Sequence, residues 1–106
     1  MLGASVEFVQ SNHEGDLVDV VQGVRQRADG AIVNLGAYTH TSLALRDAFL
    51  AASFPFVEVH LSNLYRREIE RQRSMTADLA IGLITGFGPR GYVLALEALV
   101  TALASE

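Results

Sequence analysis

Short apolar runs alternate with helical patterns of apolar residues along this chain. The first run, at residues 6–10, alternates apolar and polar side chains as a half-buried strand does. Between the runs, apolar residues recur three or four positions apart, as on the buried face of a helix. Strands that alternate with helices indicate an α/β domain with a parallel sheet and right-handed crossovers. The pattern predicts strands at residues 6–10, 31–34, 56–60 and 79–85, and helices at residues 17–28, 42–52 and 92–103.

The predicted strands end in polar or glycine-rich residues. The second strand runs into NLGAYTHTS at residues 34–42, and the third ends in HLSN at residues 60–63. In an open α/β sheet, ligands bind outside the carboxyl ends of the strands. We therefore expect these loops to meet at one edge of the sheet and to form a site for a small polar ligand.

Composition narrows the chemistry that this site can use. The chain has 106 residues, half of them hydrophobic, which fits one globular domain over residues 1–106. Its net charge of −4 gives no electrostatic reason to expect nucleic acid or an anionic membrane as a partner. All eight basic residues are arginine, so a Schiff-base lysine and the lysine of a Walker phosphate loop are excluded.

The sequence also bears on location. It has no cysteine, which excludes disulfides and thiolate chemistry within these residues. No apolar stretch approaches the roughly 20 residues of a membrane span, and the first residues do not have the pattern of a signal peptide. We expect a cytoplasmic protein with no membrane contact.

Three histidines are candidates for proton transfer. His13, His40 and His60 each lie at or just after the end of a predicted strand, so they could converge on one crevice. A single histidine in a loop is more often solvated or a capping residue, and this interpretation stays open for each of them. No two are spaced as in a helical H-x-x-x-H pair, so zinc is not predicted.

Two further patterns have an ordinary interpretation beside a functional one. The residues GFGPRG at 86–91 match G-x-G-x-x-G, but they follow the last strand, so a tight turn with Pro89 near the start of a helix is favoured over a dinucleotide site. Arg67 and Arg71 are four residues apart and could clamp a carboxylate, or could pair with Glu68 and Glu70 on a solvated face. The solvated face is the favoured interpretation.

Taken together, the motifs resemble the type II 3-dehydroquinate dehydratases. The most specific signature is N-x-G-A-Y-T-H-T-S-x-A-L-R-D at residues 34–47. It is preceded by FVQSNHEG at residues 8–15 and followed by EVHLSN at residues 58–63 with Arg67, Glu68 and Arg71. The last block is GFG with GY at residues 86–92 and the helix LALEAL at residues 94–99. The motifs occur in the family's order over nearly the whole chain.

The resemblance implies a fold and an activity. The fold is a flavodoxin-like open parallel sheet with helices on both faces, here lacking the family's first strand and helix. The reaction is the loss of water from 3-dehydroquinate by anti elimination through an enolate, in the shikimate pathway of aromatic amino acid biosynthesis or in quinate catabolism. The family uses no metal and no other cofactor, and it assembles as trimers grouped into a dodecamer.

The resemblance also implies a role for each matched residue. His60 is the general acid that protonates the departing hydroxyl, and Glu58 orients it. Six residues are expected to bind substrate: Asn34 near the leaving oxygen, Leu61 and Ser62 at the carboxylate, His40 and Arg71 at ring hydroxyls, and Asp47 in a neighbouring subunit's site. Arg67 matches a supporting arginine on the lid side.

The family's opening segment has no counterpart in these residues. That segment carries a strand, an arginine and the tyrosine that removes the α-proton, whereas Tyr38, Tyr65 and Tyr92 align with other family positions. Residues 1–5 resemble the end of a helix that leads into a strand. We expect a dehydratase that is complete only with the opening segment. The alternative is a non-catalytic relic that binds substrate-like acids or inserts into a homologous oligomer.

Overall fold

Three parallel strands form one open sheet in the order β1-β2-β3. The computed structural model describes residues 3–105, so part of the helix end expected at residues 1–5 lies outside the described residues. The strands are β1 (Ala31–Val33), β2 (Phe56–His60) and β3 (Gly82–Thr85). The α-helices are α1 (Glu14–Gly23), α2 (Leu43–Ala52) and α3 (Arg90–Ala104), and short 3-10 turns occupy several of the connections.

Strand β2 is the centre of the sheet. It pairs with β1 on one side, where Ala31 lies opposite Phe56, and with β3 on the other, where Thr85 lies opposite His60. All five residues of β2 are buried, because each face of the strand is covered by helices. The predicted strand 56–60 is confirmed at both ends. The strand predicted at 79–85 begins only at Gly82, since Ala77–Leu79 form a 3-10 turn.

Helices cover both faces of the sheet. On one face, α1 and α2 pack together over a cluster that includes Leu45, Phe49 and Phe56, in which the rings of Phe49 and Phe56 stack at 4.4 Å. On the other face, α3 packs against Val57 and Val59. The expected open parallel α/β sheet with helices on both faces is therefore confirmed.

Local sequence explains where two helices begin. The Ser42 side chain accepts a hydrogen bond from the Leu45 backbone N–H at 2.9 Å, as an N-cap does, so α2 starts where the sequence predicts. Pro89 immediately precedes α3. A Cβ on Gly91 would lie 3.1 Å from Cγ1 of Val59, so the absent side chain lets α3 approach β2 closely. No helix among residues 3–105 is long and apolar enough to cross a membrane.

The strand predicted at residues 6–10 is wrong. These residues form no regular structure, and Phe8 is 90% exposed, with Val6 and Val9 about half exposed. An alternating pattern sets which side chains share a face, but a strand also needs a neighbour to complete its hydrogen bonds. Within residues 3–105 no strand pairs with this segment. It therefore passes over the surface with its apolar side chains in solvent.

Candidate active site

The carboxyl ends of the strands meet at one edge of the sheet, as the polar strand ends predict. His60 is the last residue of β2, Asn34 directly follows β1, and Thr85 ends β3. Hydrogen bonds join the ends of β2 and β3, since the Gly86 N–H donates to the His60 carbonyl at 3.1 Å and the Thr85 hydroxyl donates to the Ser62 carbonyl at 3.0 Å. These two strand ends thus form a connected platform.

The GFGPRG motif contributes to this platform as a turn. Gly86 and Gly88 have φ values of 98° and 59°, which residues with a side chain rarely adopt. The Gly88 N–H donates to the Leu61 carbonyl at 2.8 Å. These glycines therefore serve a tight turn packed against the end of β2, as predicted.

A buried carboxylate holds His60. Glu58 and His60 are two residues apart on β2, so their side chains leave the same face of the sheet. Nε2 of His60 lies 2.7 Å from Oε2 of Glu58, and the two residues are 3% and 0% exposed. A carboxylate can only accept from this nitrogen, so Nε2 carries a proton and Nδ1 is the ring nitrogen left for a ligand.

Glu58 is charged because of its neighbours. Burial raises the pKa of the Glu58 carboxyl, but hydrogen bonds from His60, Thr76 and Ser74, together with the charge of His60, outweigh burial and lower the pKa below its usual value. The Ser74 hydroxyl donates to Oε2 at 2.7 Å and the Thr76 hydroxyl donates to Oε1. The pair is therefore a stable anion beside a proton-carrying imidazole.

His40 is brought next to His60, whereas His13 is not. The two rings stack with centroids 6.5 Å apart and planes 23° apart. Nδ1 of His40 donates to the Arg73 carbonyl at 2.7 Å, which fixes the proton on Nδ1 and leaves Nε2 for a ligand. His13 is exposed before α1 and its side chain makes no capping hydrogen bond. Two of the three candidate histidines thus share one site.

Asn34 lies at the same sheet edge, and its side-chain hydrogen bonds are made with residues other than His60. Its Nδ2 donates to the Tyr92 hydroxyl of α3 at 2.9 Å, and its Oδ1 accepts from the Gly36 N–H at 3.1 Å. The amide is therefore directed towards α3, whereas His60 lies on the face that α1 and α2 cover. Of the other two tyrosines, Tyr38 donates its hydroxyl hydrogen to the Asn12 carbonyl, and Tyr65 is exposed.

The residues after β2 carry donors that could meet an anion. Within the described residues, the backbone N–H groups of Leu61 and Ser62 have no hydrogen-bond partner. Nε of Arg67 donates to the Ser62 hydroxyl at 3.1 Å, so this arginine is held next to the strand end. These groups form a donor-rich rim on β2.

Arg71 is separated from Arg67 by the local backbone. Leu64–Arg66 and Ile69–Arg71 are two short 3-10 turns with extended backbone between them, so four-residue spacing does not place the two guanidinium groups on one helical face. Nε of Arg71 instead lies 2.6 Å from Glu68, and both side chains are largely exposed. The favoured interpretation, a solvated charged face, describes Arg71.

Asp47 is exposed on α2 and makes no ion pair within residues 3–105. Its neighbour Arg46 binds Asp78 through both terminal guanidinium nitrogens, at 2.6 and 3.0 Å. Among the residues that the structure describes, no three acidic or histidine side chains are grouped so that they could hold a metal ion.

Ser74 and Thr76 are the residues of the site that the sequence did not predict. They lie where the hydrophobic pattern is weakest, and only their hydroxyl groups, shortly before an apolar run, could have drawn attention to them. Their contact with Glu58 spans 16 and 18 residues of sequence, so no local pattern encodes it.

Fold and site together describe an open-sheet α/β protein that places a carboxylate-bound histidine at its strand ends, which suits acid–base chemistry on a small polar ligand. Comparison with known proteins specifies the family. A family model described as "Dehydroquinase class II" matches residues 1–100. The chain belongs to the class II dehydroquinase family.

Relatives and solved structures agree with this assignment. The chain is 53% identical over 102 residues to a 3-dehydroquinate dehydratase of Prochlorococcus marinus (strain NATL1A), covering 96% of this chain and 70% of the relative. It is 58% identical over 98 residues to 3-dehydroquinate dehydratase 1 of Agrobacterium fabrum, covering 92% and 68%. The type II dehydroquinase of Propionibacterium acnes superposes with a TM-score of 0.86 at 35% identity, covering 94% and 69%. The family is one of hydro-lyases, and the chain spans about two thirds of the length of these relatives.

Proposed function

We propose that this chain provides the acid half of a 3-dehydroquinate dehydratase site, which converts 3-dehydroquinate to 3-dehydroshikimate and water. The observation that carries the proposal is the buried Glu58–His60 pair at the carboxyl end of the central strand, with the His40 ring stacked beside it. Elimination of a hydroxyl needs a proton donor beside the leaving oxygen, and this pair has the chemistry of one.

The proposed reaction has two proton transfers. A base removes the proton α to the ketone, and the electrons of that C–H bond form an enolate. The enolate then re-forms the ketone as a conjugated enone, and the C–O bond to the leaving hydroxyl breaks. His60, protonated at both nitrogens, gives the Nδ1 proton to that oxygen, so that water leaves. Glu58 keeps the Nε2 proton in place and stabilises the imidazolium before transfer.

The remaining matched residues are proposed to bind substrate. The free N–H groups of Leu61 and Ser62 and the hydroxyl of Ser62 suit a carboxylate. His40 and Arg71 are proposed to bind ring hydroxyls, for which Arg71 exchanges Glu68 for the ligand. Asn34 is proposed to help hold the leaving oxygen, for which its amide exchanges the Tyr92 hydroxyl for the ligand, and Asp47 is proposed to reach the site of a neighbouring subunit. Arg67, on the lid side, has a supporting role.

Three features of the whole protein belong to the same proposal. The base is the tyrosine of the family's opening segment, which has no counterpart in the 106 residues. The assembly is a homo-oligomer of trimers grouped into a dodecamer, with no metal or other cofactor. The location is the cytoplasm, in agreement with the lack of cysteine.

The test compares the 106-residue chain with an extended chain, in which the opening segment of the Agrobacterium fabrum relative precedes residue 1. Enone absorbance is followed after addition of 3-dehydroquinate. We expect negligible turnover by the 106-residue chain and clear turnover by the extended chain. In the extended chain, His60→Ala lowers kcat roughly a hundredfold or more, the usual contribution of a positioned acid. His13→Ala, at an exposed histidine outside the site, is the matched control and leaves kcat unchanged.

Three results would contradict parts of this proposal. If His60→Ala leaves the kinetics of the extended chain unchanged, His60 is not the general acid. Turnover by the 106-residue chain places a base within these residues, with Tyr92 as the first candidate because its hydroxyl binds Asn34. Binding of 3-dehydroquinate without turnover by the extended chain supports the alternative, a non-catalytic subunit that binds such acids.

A further inference from the structure

A second layer of side chains supports the Glu58–His60 pair. Residues 73–78, called here the 73–78 segment, lead from the 3-10 turn Ile69–Arg71 towards β3 and pass next to Glu58. From it the hydroxyl of Ser74 donates to Oε2 of Glu58 at 2.7 Å and the hydroxyl of Thr76 donates to Oε1. Thr76 is completely buried. Both carboxylate oxygens are thus bound by hydroxyls that come from one short stretch of irregular backbone.

Irregular backbone is a poor support for catalytic geometry unless it is fixed, and the 73–78 segment is fixed from two sides. On the side of the site, the Met75 N–H donates to the Thr39 carbonyl at 2.8 Å and Nδ1 of His40 donates to the Arg73 carbonyl at 2.7 Å. These bonds join the segment to the 3-10 turn Gly36–His40, which carries one of the two stacked histidines.

From α2, Arg46 binds the segment before and after Thr76. Its Nη1 donates to the Met75 carbonyl at 2.8 Å, and its two terminal nitrogens bind the Asp78 carboxylate at 2.6 and 3.0 Å. A bidentate pair of this kind fixes direction as well as distance. The contacts at residues 75 and 78 therefore set the backbone position of Thr76 between them.

The Thr76 hydroxyl has a specific task at Glu58. Within the described residues, it is the side chain that binds Oε1, because His60 and Ser74 both bind Oε2. Without it, one oxygen of a fully buried carboxylate loses its donor, which disfavours the charged form and frees the carboxylate to rotate. Either change loosens the hold on Nε2 of His60.

We propose that Thr76 and Ser74 are positioning residues for His60, held in place by the Arg46–Asp78 ion pair; this inference rests on the proposed function of His60 as the acid. They act through Glu58 and do not touch the substrate. The chain of contacts extends from Arg46 on α2, through the 73–78 segment and the buried carboxylate of Glu58, to the imidazole at the end of β2.

The first test uses Thr76→Val and Thr76→Ser in the extended chain. Valine keeps the shape of threonine but removes the hydroxyl, and serine restores the hydroxyl. In Thr76→Val we expect kcat to fall roughly tenfold, the effect of one hydrogen bond to a charged group, with KM unchanged. Carbon-13 NMR of the side-chain carboxyl should show a raised pKa for Glu58. Thr76→Ser restores both values, and Thr101→Val, at an exposed threonine of α3, is the control that changes neither.

Other charged groups near Glu58 also influence its titration. Their own titrations are therefore followed in the same spectra or in a matched variant, so that a shift at Glu58 can be assigned to Thr76. The other titratable or charged side chains on the elements of this face are His60 on the same strand, Tyr38 and His40 on the 3-10 turn, Glu14, Asp16 and Asp19 on α1, Arg46 and Asp47 on α2, and Arg73 and Asp78 on the segment.

The second test removes the ion pair without touching the site. Asp78→Asn should lower kcat a few-fold and leave KM unchanged, because Thr76 then loses its fixed backbone position. The matched control is Glu7→Gln, which removes the exposed carboxylate that pairs with Arg27 far from Glu58 in the sequence. It should leave kcat unchanged.

The outcomes separate this inference from the proposed function. A Glu58 titration that is the same in Thr76→Val and wild type overturns the inference whether or not the extended chain is active. A raised Glu58 pKa with unchanged kcat also overturns it, because the hydroxyl would then have no effect on the acid. Loss of all turnover in the wild-type extended chain, with the Glu58 titration moving as expected, overturns the proposed function alone and leaves the support of Glu58 by Thr76 established.

Discussion

Residues 56–60 and residues 6–10 have similar compositions but different structures. Both contain two valines, a phenylalanine and a glutamate that lies between apolar residues. Residues 56–60 become the fully buried central strand, in which Phe56 is 2% exposed. Residues 6–10 form no strand, and Phe8 is 90% exposed.

The difference lies in neighbours rather than in propensity. Strand β2 has β1 and β3 on its two sides and helices over both faces, so every backbone group and side chain is accommodated. Within residues 3–105, the 6–10 segment has no strand beside it. Because β2 is fixed on both sides and both faces, the Glu58 carboxylate stays within reach of its hydrogen-bond donors. These donors stabilise its charge in place of water.

The largest expected effect is at the paired phenylalanines. Phe56→Ala removes a ring that packs against Phe49 and Phe54, and we expect it to lower the free energy of unfolding of the chain by about 3–5 kcal/mol. Phe8→Ala removes a ring that lies in solvent, and its effect should stay within about 0.5 kcal/mol. Urea unfolding followed by circular dichroism measures both.

The comparison fails if Phe56→Ala and Phe8→Ala lower the free energy of unfolding by similar amounts. A cost at Phe8 well above about 1 kcal/mol would indicate that the 6–10 segment is covered in solution, by another copy of the chain or by residues that precede it. Repeating the measurement at several protein concentrations distinguishes these cases, because only coverage by a second copy depends on concentration.

A smaller effect is expected from the charge on β2. Glu58→Gln keeps the shape of the side chain but replaces an acceptor of three hydrogen bonds with an amide that donates at one end. We expect a loss of about 1–3 kcal/mol in the free energy of unfolding at pH 7, the cost of mispairing a buried polar group. Glu7→Gln makes the same change on the exposed 6–10 segment and should be nearly neutral.

The pH dependence follows from the pKa of Glu58. This pKa is lower in the folded chain than in the unfolded chain, so the stabilisation is present above the unfolded value of about 4.3 and is lost as the pH falls through the folded pKa. The stability difference between wild type and Glu58→Gln should therefore narrow as the pH falls below about 4. A difference that stays constant from pH 7 to pH 3 would contradict the role of charge.

Much of the fold could be predicted because it is encoded locally. Ser42 is a side-chain cap, strand 56–60 is a short apolar run, and Tyr92, Leu99 and Leu103 repeat at helical spacing. Whether residues 6–10 form a strand could not be predicted locally, because strand pairing depends on which segments of the chain lie beside them.

The site divides along the same line. The Glu58–His60 contact was expected from the family resemblance, and two-residue periodicity on one strand explains why the two side chains share a face. The contacts of Ser74 and Thr76 with Glu58 depend on how an irregular segment crosses the sheet, which no periodicity describes. For Arg71, the spacing from Arg67 suggested a shared face, but two short turns replace the continuous helix that such spacing requires.

The smallest expected effect on stability is at Arg71, and it completes the contrast between buried and exposed ion pairs. Arg71 and Glu68 are each 61% exposed, so water screens their attraction and Arg71→Ala should change the free energy of unfolding by less than about 0.5 kcal/mol. In the extended chain the same substitution should chiefly raise KM for 3-dehydroquinate, because a guanidinium that binds a ring hydroxyl contributes similarly to the ground state and the transition state. Glu68→Gln is the control, since it removes the same pair but leaves the guanidinium free for substrate, and it should not raise KM. A fall in kcat in Arg71→Ala, with KM unchanged, would instead show that Arg71 stabilises the transition state more than the bound substrate.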